Sequence, residues 1–284
     1  MILPASYQSG FAPRDGRPLY PQLWKSCVFA AAPCLGPPGL TLRDWSGLQR
    51  HGILTNMSAE SAWGLDGGKY ALFFDATNDY VTASNRMTFA SGDALSASIW
   101  FRATGVGTTR ELFNRFNGSG ASSSDEGWLI SRRSTNKLRF TLAQSGSYST
   151  WESTNTFTET SWYNIVVTHR FGSGASFAMY VNGIAIAGSW TTGTGNQIPD
   201  SDGDNYGIVI GAQRYAGVTY DVWQGSVDDA RLYNRICTAN EAKILASRRG
   251  IAYEMATRRR SVFASGFKPA WVRRRSLVIG GGIN

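Results

Sequence analysis

Only three cysteines and two histidines occur among 284 residues, and this scarcity narrows the available chemistry. Cys27, Cys34 and Cys237 are too few for a disulfide framework and lack paired metal-ligand spacing, so buried free thiols are expected. His51 and His169 have no evident nucleophilic partner, which favours structural roles over membership of a catalytic triad. No run of about 18 apolar residues exists, and that excludes a transmembrane helix. The opening MILPASYQSGFAPRDGRPLYPQ has neither a positive n-region nor an apolar h-region, so a secretory signal is not expected.

Acidic charge is also unevenly scarce. The formal net charge is +8, but ten of the 28 Lys and Arg residues lie from Lys243 onward, against a single acid, Glu254. The preceding residues carry 18 basic and 19 acidic side chains and are close to neutral. A nucleic-acid-binding domain spreads its basic residues over a folded face, and this body does not, so nucleic acid is not the expected partner. The tail interleaves Arg258-Arg259-Arg260 and Arg273-Arg274-Arg275 with Phe263, Phe267 and Trp271. Phosphate contact is open to such a segment, and an acidic protein groove suits its aromatics equally well.

What the chain has in abundance is turn chemistry. Thirty-two glycines, frequent Ser and Thr and 13% aromatics indicate many short strands joined by turns, hence an all-β fold. Ser98, Trp100 and Arg102 alternate with Ile99 and Phe101, and Ser176, Ala178 and Tyr180 with Phe177, Met179 and Val181, the period of a strand buried on one face. The runs Ile165-Val166-Val167 and Ile208-Val209-Ile210 fit strands covered on both faces. Asn182-Gly183 suits a type I′ hairpin turn. Within Trp223–Ile244 a strand feeds a helix: Val227, Ala230 and Leu232 are its apolar positions, the alternation breaking at Asp228-Asp229. Thr238 with Glu241 forms a capping box before a helix of about three turns. Three segments follow: an extended N-terminal arm over residues 1–26, a sandwich over 27–236, and a C-terminal helix with a basic-aromatic tail over 237–284.

An ordered set of segments carries a family resemblance. Asp44-Trp45-Ser46-Gly47, His51-Gly52-Ile53-Leu54-Thr55-Asn56, Ala71-Leu72-Phe73-Phe74-Asp75, Asn78-Asp79-Tyr80-Val81, the strands around Trp100 and Val166, the Asn182-Gly183 turn and Gly225 to Arg235 together resemble the laminin-G-like, concanavalin-A-like jelly-roll domains. The likeness covers about residues 27–242. It implies two antiparallel sheets packed face to face, in agreement with the alternation. The layout, with APRDGRPLYP at the front and RRRSLVIGGGIN at the back, also resembles laminin-G-like proteins of phage and environmental bacterial sequences.

The resemblance frames the candidate sites. Hydrolytic relatives place carboxylates on one strand, spaced like E-x-D-x-x-E. None of the seven glutamates, Glu60, Glu111, Glu126, Glu152, Glu159, Glu241 and Glu254, has two acids at that spacing, so no enzyme activity is expected. Structural Ca²⁺ is implied where the terminal strands meet, with Asp44 and Asp228 at matching positions and oxygen donors suited to that ion. The alternative is that Asp44 caps its own Ser46-Gly47 turn and Asp228 accepts from backbone N–H groups. The Asp200-Ser201-Asp202-Gly203-Asp204 stretch has its glycine too early for a calcium-binding EF-hand and reads as a polar turn. Carbohydrate binding needs exposed aromatics beside polar groups, for which Trp63, Trp151, Trp190, Tyr215, Tyr220 and Trp223 are candidates, although most aromatics of a sandwich are core.

The expectation is a non-enzymatic virion structural protein, a capsid-decorating or tail-associated one. Its sandwich serves surface display or adhesion. Trp24, Arg258, Arg259, Arg260, Phe263, Phe267, Trp271, Arg273, Arg274 and Arg275 grip other virion subunits in a homo-oligomer or lattice. The alternative is an extracellular carbohydrate-binding or adhesion module at a cell surface, and a third reading is a degenerate glycosidase.

Overall fold

The computed structural model describes residues 20–251 apart from 84–88, 106, 119–125, 158–160, 200–206 and 216–217. The chain lays down β1 (Cys27–Ala31), β2 (Thr41–Leu42), β3 (Gly52–Thr55), β4 (Trp63–Asp66), β5 (Lys69–Asp75), β6 (Tyr80–Ala83) and β7 (Ala94–Ala103). Four longer strands follow, β8 (Arg110–Asn117), β9 (Glu126–Arg132), β10 (Lys137–Gln144) and β11 (Ser147–Thr156). Next come β12 (Tyr163–Arg170), β13 (Ser173–Val181), β14 (Ile184–Ala185), β15 (Gly188–Thr192) and β16 (Ile208–Ile210). A hairpin of β17 (Gln213–Tyr215) and β18 (Val218–Tyr220) leads into β19 (Gln224–Tyr233) and the helix α1 (Ala239–Leu245).

All pairings are antiparallel, and they build two large sheets. One has eight strands, β14-β13-β12-β7-β19-β5-β4 with β1 on β19, and the other nine, β15-β11-β10-β9-β8-β16-β6-β3-β2. The expected all-β jelly-roll sandwich is therefore the fold. Alternation places Leu95, Ala97, Ile99, Phe101 and Ala103 of β7 in the core between the sheets, opposite Trp128, Ile130, Leu138, Phe140 and Leu142 of β9 and β10. The turn at Asn182 (φ 49°) and Gly183 (φ 77°) closes the β13–β14 hairpin with two positive φ angles, as the Asn-Gly pair requires.

The runs without alternation are buried on both sides. Ile165 and Val167 enter the main core, whereas Val166 joins a second apolar cluster with Leu23, Ala30, Tyr233, Ala242, Leu245 and Ile251. Residues from the N-terminal segment and from α1 thus lie over the outer face of the eight-stranded sheet. Arg235 ties these pieces together, donating to Glu241 at 2.6 and 2.8 Å and to the carbonyls of Gln22 and Lys25 at 2.9 and 2.8 Å.

The capping box forms. Glu241 N–H donates to Thr238 Oγ1 at 3.2 Å and Thr238 N–H to Glu241 Oε2 at 2.8 Å. The helix is shorter than its sequence pattern suggests, seven residues, because the chain turns at Gly250 (φ 82°) to seat Arg249 and Ile251 on the sheet. Thr238→Ala is expected to cost about 1 kcal/mol of stability through the lost cap, measured by chemical denaturation. No loss would mean that the docked face alone holds α1.

Candidate functional site

The closing strand shows why one outer face is sealed. Register shifts between Asp228 and Arg231, where Asp229 adopts φ 48°, so the broken alternation of the sequence is a β-bulge. Both acids are thereby turned away from the core into polar pockets. Asp228 Oδ1 accepts from the N–H of Cys34 at 3.0 Å and of Asp229 at 2.8 Å, and its Oδ2 lies 3.6 Å from Arg249 Nη1. Burial and the neighbouring Asp229 push the Asp228 carboxyl up to about 7, against the pull of Arg249. Arg249 also donates to the Asp66 carbonyl, and its guanidinium lies 4.2 Å from the centre of the Trp162 ring. Asp229 accepts from Arg231 Nε at 2.8 Å, both side chains being buried. These groups clamp residues 245–251 onto the eight-stranded sheet.

The outer face of the nine-stranded sheet is different. A transverse row of side chains crosses it, Glu111 of β8 opposite Ser131 of β9, then Arg139 of β10, Glu152 of β11 and Ser189 of β15. Arg139 Nε–H donates to Ser131 Oγ at 3.0 Å and Nη2 to Glu111 Oε1 at 3.3 Å. Arg133 pairs with Glu152 at 3.3 Å, and Glu111 N–H donates to the Asp221 carbonyl at 2.7 Å, which brings the exposed Asp221 beside the row. Below it Thr141 and Thr150 face each other, with Thr192 paired to Thr150. The β17–β18 hairpin borders this face, with Tyr220 41% exposed next to Asp221 and Arg214 4.6 Å from the Tyr80 ring centre. Glu111, Ser131 and Thr141 are buried in this row, so what the surface offers a polar ligand is the partly exposed Arg139, Glu152 and Arg133, the exposed Ser189 and Thr192, and Tyr220 at its margin.

The sequence-derived candidates separate clearly on this frame. Trp63, Trp151 and Trp223 belong to the main core, at 7%, 6% and 0% exposure, and Trp190 packs against it, its ring 5.4 Å from Phe177 and 6.2 Å from His169. Their reading as ligand platforms is corrected: inward strand positions bury their ring faces. Tyr215 and Tyr220 lie on the bordering hairpin, and Tyr220 offers exposed surface.

Asp44 and Asp228 each serve backbone donors. Asp44 Oδ1 accepts from Ala30 and Ser46 N–H and Oδ2 from Ser46 Oγ and Arg50 N–H, between 2.8 and 2.9 Å, so protein donors occupy its lone pairs. Among the described residues no three His, Cys, Asp or Glu side chains converge as a metal-binding group. Trp24 packs on the chain's own second apolar cluster, its ring 6.0 Å from the Arg231 guanidinium. The other assembly candidates, Arg258 to Arg260, Phe263, Phe267, Trp271 and Arg273 to Arg275, and the Asp200–Asp204 stretch lie outside the described residues.

All three cysteines are buried free thiols. His51 Nδ1 accepts from Asp44 N–H at 3.1 Å. His169 is enclosed by Phe140, Phe171, Phe177 and Trp190, and burial pushes its pKa down to about 4. The row itself escaped sequence reading. Its one local signal was a charged residue set among apolar neighbours in a strand, Glu111 before Leu112-Phe113 and Arg139 between Leu138 and Phe140.

Residues 75–243, well over half of the chain, match the family model of the concanavalin A-like lectin/glucanases superfamily. The chain belongs to that superfamily. No curated protein matches this lectin/glucanase-type chain by sequence. Among solved structures it is similar to the binding domain of Paraclostridial Mosquitocidal Protein 1, at 16% identity and TM-score 0.58 over 79% of this chain and 52% of that one. A Trypanosoma rangeli sialidase mutant displaying trans-sialidase activity matches at 16% identity and TM-score 0.55, over 78% and 33%. The receptor binding domain of botulinum neurotoxin D matches at 13% and 0.55, over 79% and 53%. The superfamily sandwich described here thus spans between a third and about half of the structures it resembles.

Proposed function

We propose that this chain is a non-enzymatic recognition module that binds glycan on the outer face of its nine-stranded sheet and is displayed from a virion surface. The asymmetry between the two outer faces carries the reading. One is covered by α1, residues 20–26 and the Arg249 clamp, and the other presents Arg139, Glu152 and Ser189 over the buried Glu111 and Ser131, with Tyr220 at its margin. Hydroxyl-rich ligands suit a surface of charged forks and hydroxyls with an aromatic edge. The superfamily's lectin members and the receptor-binding toxin domains of the same fold lend support by analogy, which fold alone does not settle.

The non-enzymatic role is motivated by the burial of Glu111 and by the surroundings of the two histidines. Glu111 has no exposed surface, so it cannot reach a glycosidic oxygen, and the two histidines are engaged or enclosed. Virion display, with other capsid or tail subunits as partners, is motivated by the ten basic residues from Lys243 onward and their interleaved aromatics. Calcium does not fit the donor sets at Asp44 and Asp228, since N–H groups and Ser46 Oγ occupy Asp44, and Asp228 faces the N–H of Cys34 and Asp229 and the Arg249 guanidinium; a chelator should leave the melting temperature unchanged.

A glycan array of the full chain tests recognition, with hydrolysis of every bound glycan followed in parallel. Binding without turnover is the expected result, and turnover would overturn the non-enzymatic reading. For display, the full chain should co-purify with virus particles and a chain lacking 258–284 should not. Equal incorporation of both would contradict the assembly role of the tail.

A further inference from the structure

Arg139 occupies the middle of the transverse row, and its hydrogen bonding is incomplete. A guanidinium carries five N–H donors. Ser131 Oγ and Glu111 Oε1 engage Nε and Nη2, whereas Nη1 donates to no described residue, and the side chain is 12% exposed. The acceptors around it are already occupied in part: Glu152 faces Arg133, and Arg110 donates to the Val222 carbonyl at 2.7 Å. What Arg139 still offers a ligand is the Nη1 donors of its guanidinium, beside the partly exposed Glu152 and the exposed Asp221.

Glu111 explains why that cation is not cancelled. Its carboxyl is fully buried, and Oε2 has no hydrogen-bond donor. Negative charge is costly on an oxygen that is buried without a donor. Burial pushes Glu111 up to about 8 against the pull of Arg139, and the Asp221 carboxylate adds to the rise. In its protonated form the carboxyl acts on Arg139 as an orienting acceptor and not as a counter-charge. The charged groups around it are then Arg110, Arg133 and Arg139 against Glu152 and Asp221, which leaves positive charge in excess.

We propose that Arg139 anchors a subsite for a carboxylate-bearing sugar, with Glu111 as the positioning residue that holds the guanidinium without neutralising it. The proposal rests on the glycan-recognition reading and deepens it. A planar guanidinium edge matches a carboxylate in two parallel charge-assisted hydrogen bonds, which a neutral hydroxyl cannot reproduce.

The test measures binding of the full chain to a hexuronate oligosaccharide and to a sialyl oligosaccharide, each beside its carboxyl-reduced neutral counterpart. The charged form of at least one pair is expected to bind about tenfold or more tightly near neutral pH, and Arg139→Gln to abolish that preference. Arg139→Lys, which keeps the charge but loses the fork, should retain only part of it. The sign of the pH dependence is fixed: above the Glu111 pKa of about 8 the new carboxylate neutralises Arg139, so the preference falls as pH rises through that value. Glu111→Gln, neutral at every pH, should keep the preference into the alkaline range, a readout that a merely structural role would not move. Equal binding of charged and neutral forms, weakened equally by Arg139→Gln, would overturn this inference and leave glycan recognition standing. Binding of no saccharide in either form would overturn both.

Discussion

Asp229→Gly is expected to destabilise the protein by about 3–5 kcal/mol, because it removes the carboxylate that pairs with the buried Arg231 guanidinium. Arg231 is 0% and Asp229 2% exposed, and Nε and Nη2 of the arginine both lie 2.8 Å from Asp229 Oδ1. Glycine is the informative replacement, since Asp229 holds φ 48° in the bulge and a β-branched or bulky residue would add backbone strain. Asp229→Asn, which keeps the shape and one acceptor, should cost less. The pair as such is not expected to be the source of stability: Asp229→Gly combined with Arg231→Met should recover much of the loss, since the double replacement removes the buried charge together with its counter-ion. Urea titration of the three variants checks this. A loss of under about 1 kcal/mol for Asp229→Gly would show that Arg231 finds another partner or water.

Trp223→Ala is expected to cost about 3–5 kcal/mol through cavity formation, whereas Tyr220→Ala, three positions earlier, should leave stability within about 0.5 kcal/mol. Trp223 is fully buried with its ring edge-on to Phe101 at 5.5 Å, and Tyr220 is 41% exposed. Binding should show the reverse order, with Tyr220→Ala weakening glycan capture and folded Trp223 variants retaining it. Because Trp223 Nε1 is buried without an acceptor, Trp223→Phe removes an unpaired donor along with part of the ring and should cost much less than alanine. Thermal denaturation and glycan capture on the same preparations separate the two roles. Equal loss of binding in a stable Trp223→Phe protein would move the ligand surface to that side of the sandwich.

Most of the fold was legible because its signals are local. Alternation toward the end of β13, the Asn182-Gly183 turn and the Thr238–Glu241 box each act over a few residues and appear as expected, whereas β7, expected to be buried on one face, is buried on both, because Trp100 and Ser98 on its outer side lie under the docked C-terminal segment. The interrupted alternation at Asp228-Asp229 was visible too, and its physical meaning is the bulge that turns both acids outward. Helix length was less legible, since docking of Arg249 and Ile251 overrides a weak helical pattern near Gly250. The tryptophans were read by residue type, although Thr150-Trp151-Glu152 already places the ring opposite two polar neighbours and hence inward. The candidate site is the least legible part. Glu111, Ser131, Arg139 and Glu152 come from four strands and meet only through the register of β8 to β11, a relation that no single stretch of sequence contains.

The central claim is that recognition uses the outer face of the nine-stranded sheet. Hydrogen–deuterium exchange of the full chain, with and without a glycan identified on the array, tests it most directly. Ligand-dependent protection is predicted in β8 to β11 and in the 213–221 hairpin, with α1 and residues 20–26 unchanged. Protection centred on α1 or on residues 20–26, with β8 to β11 unaffected, would contradict it.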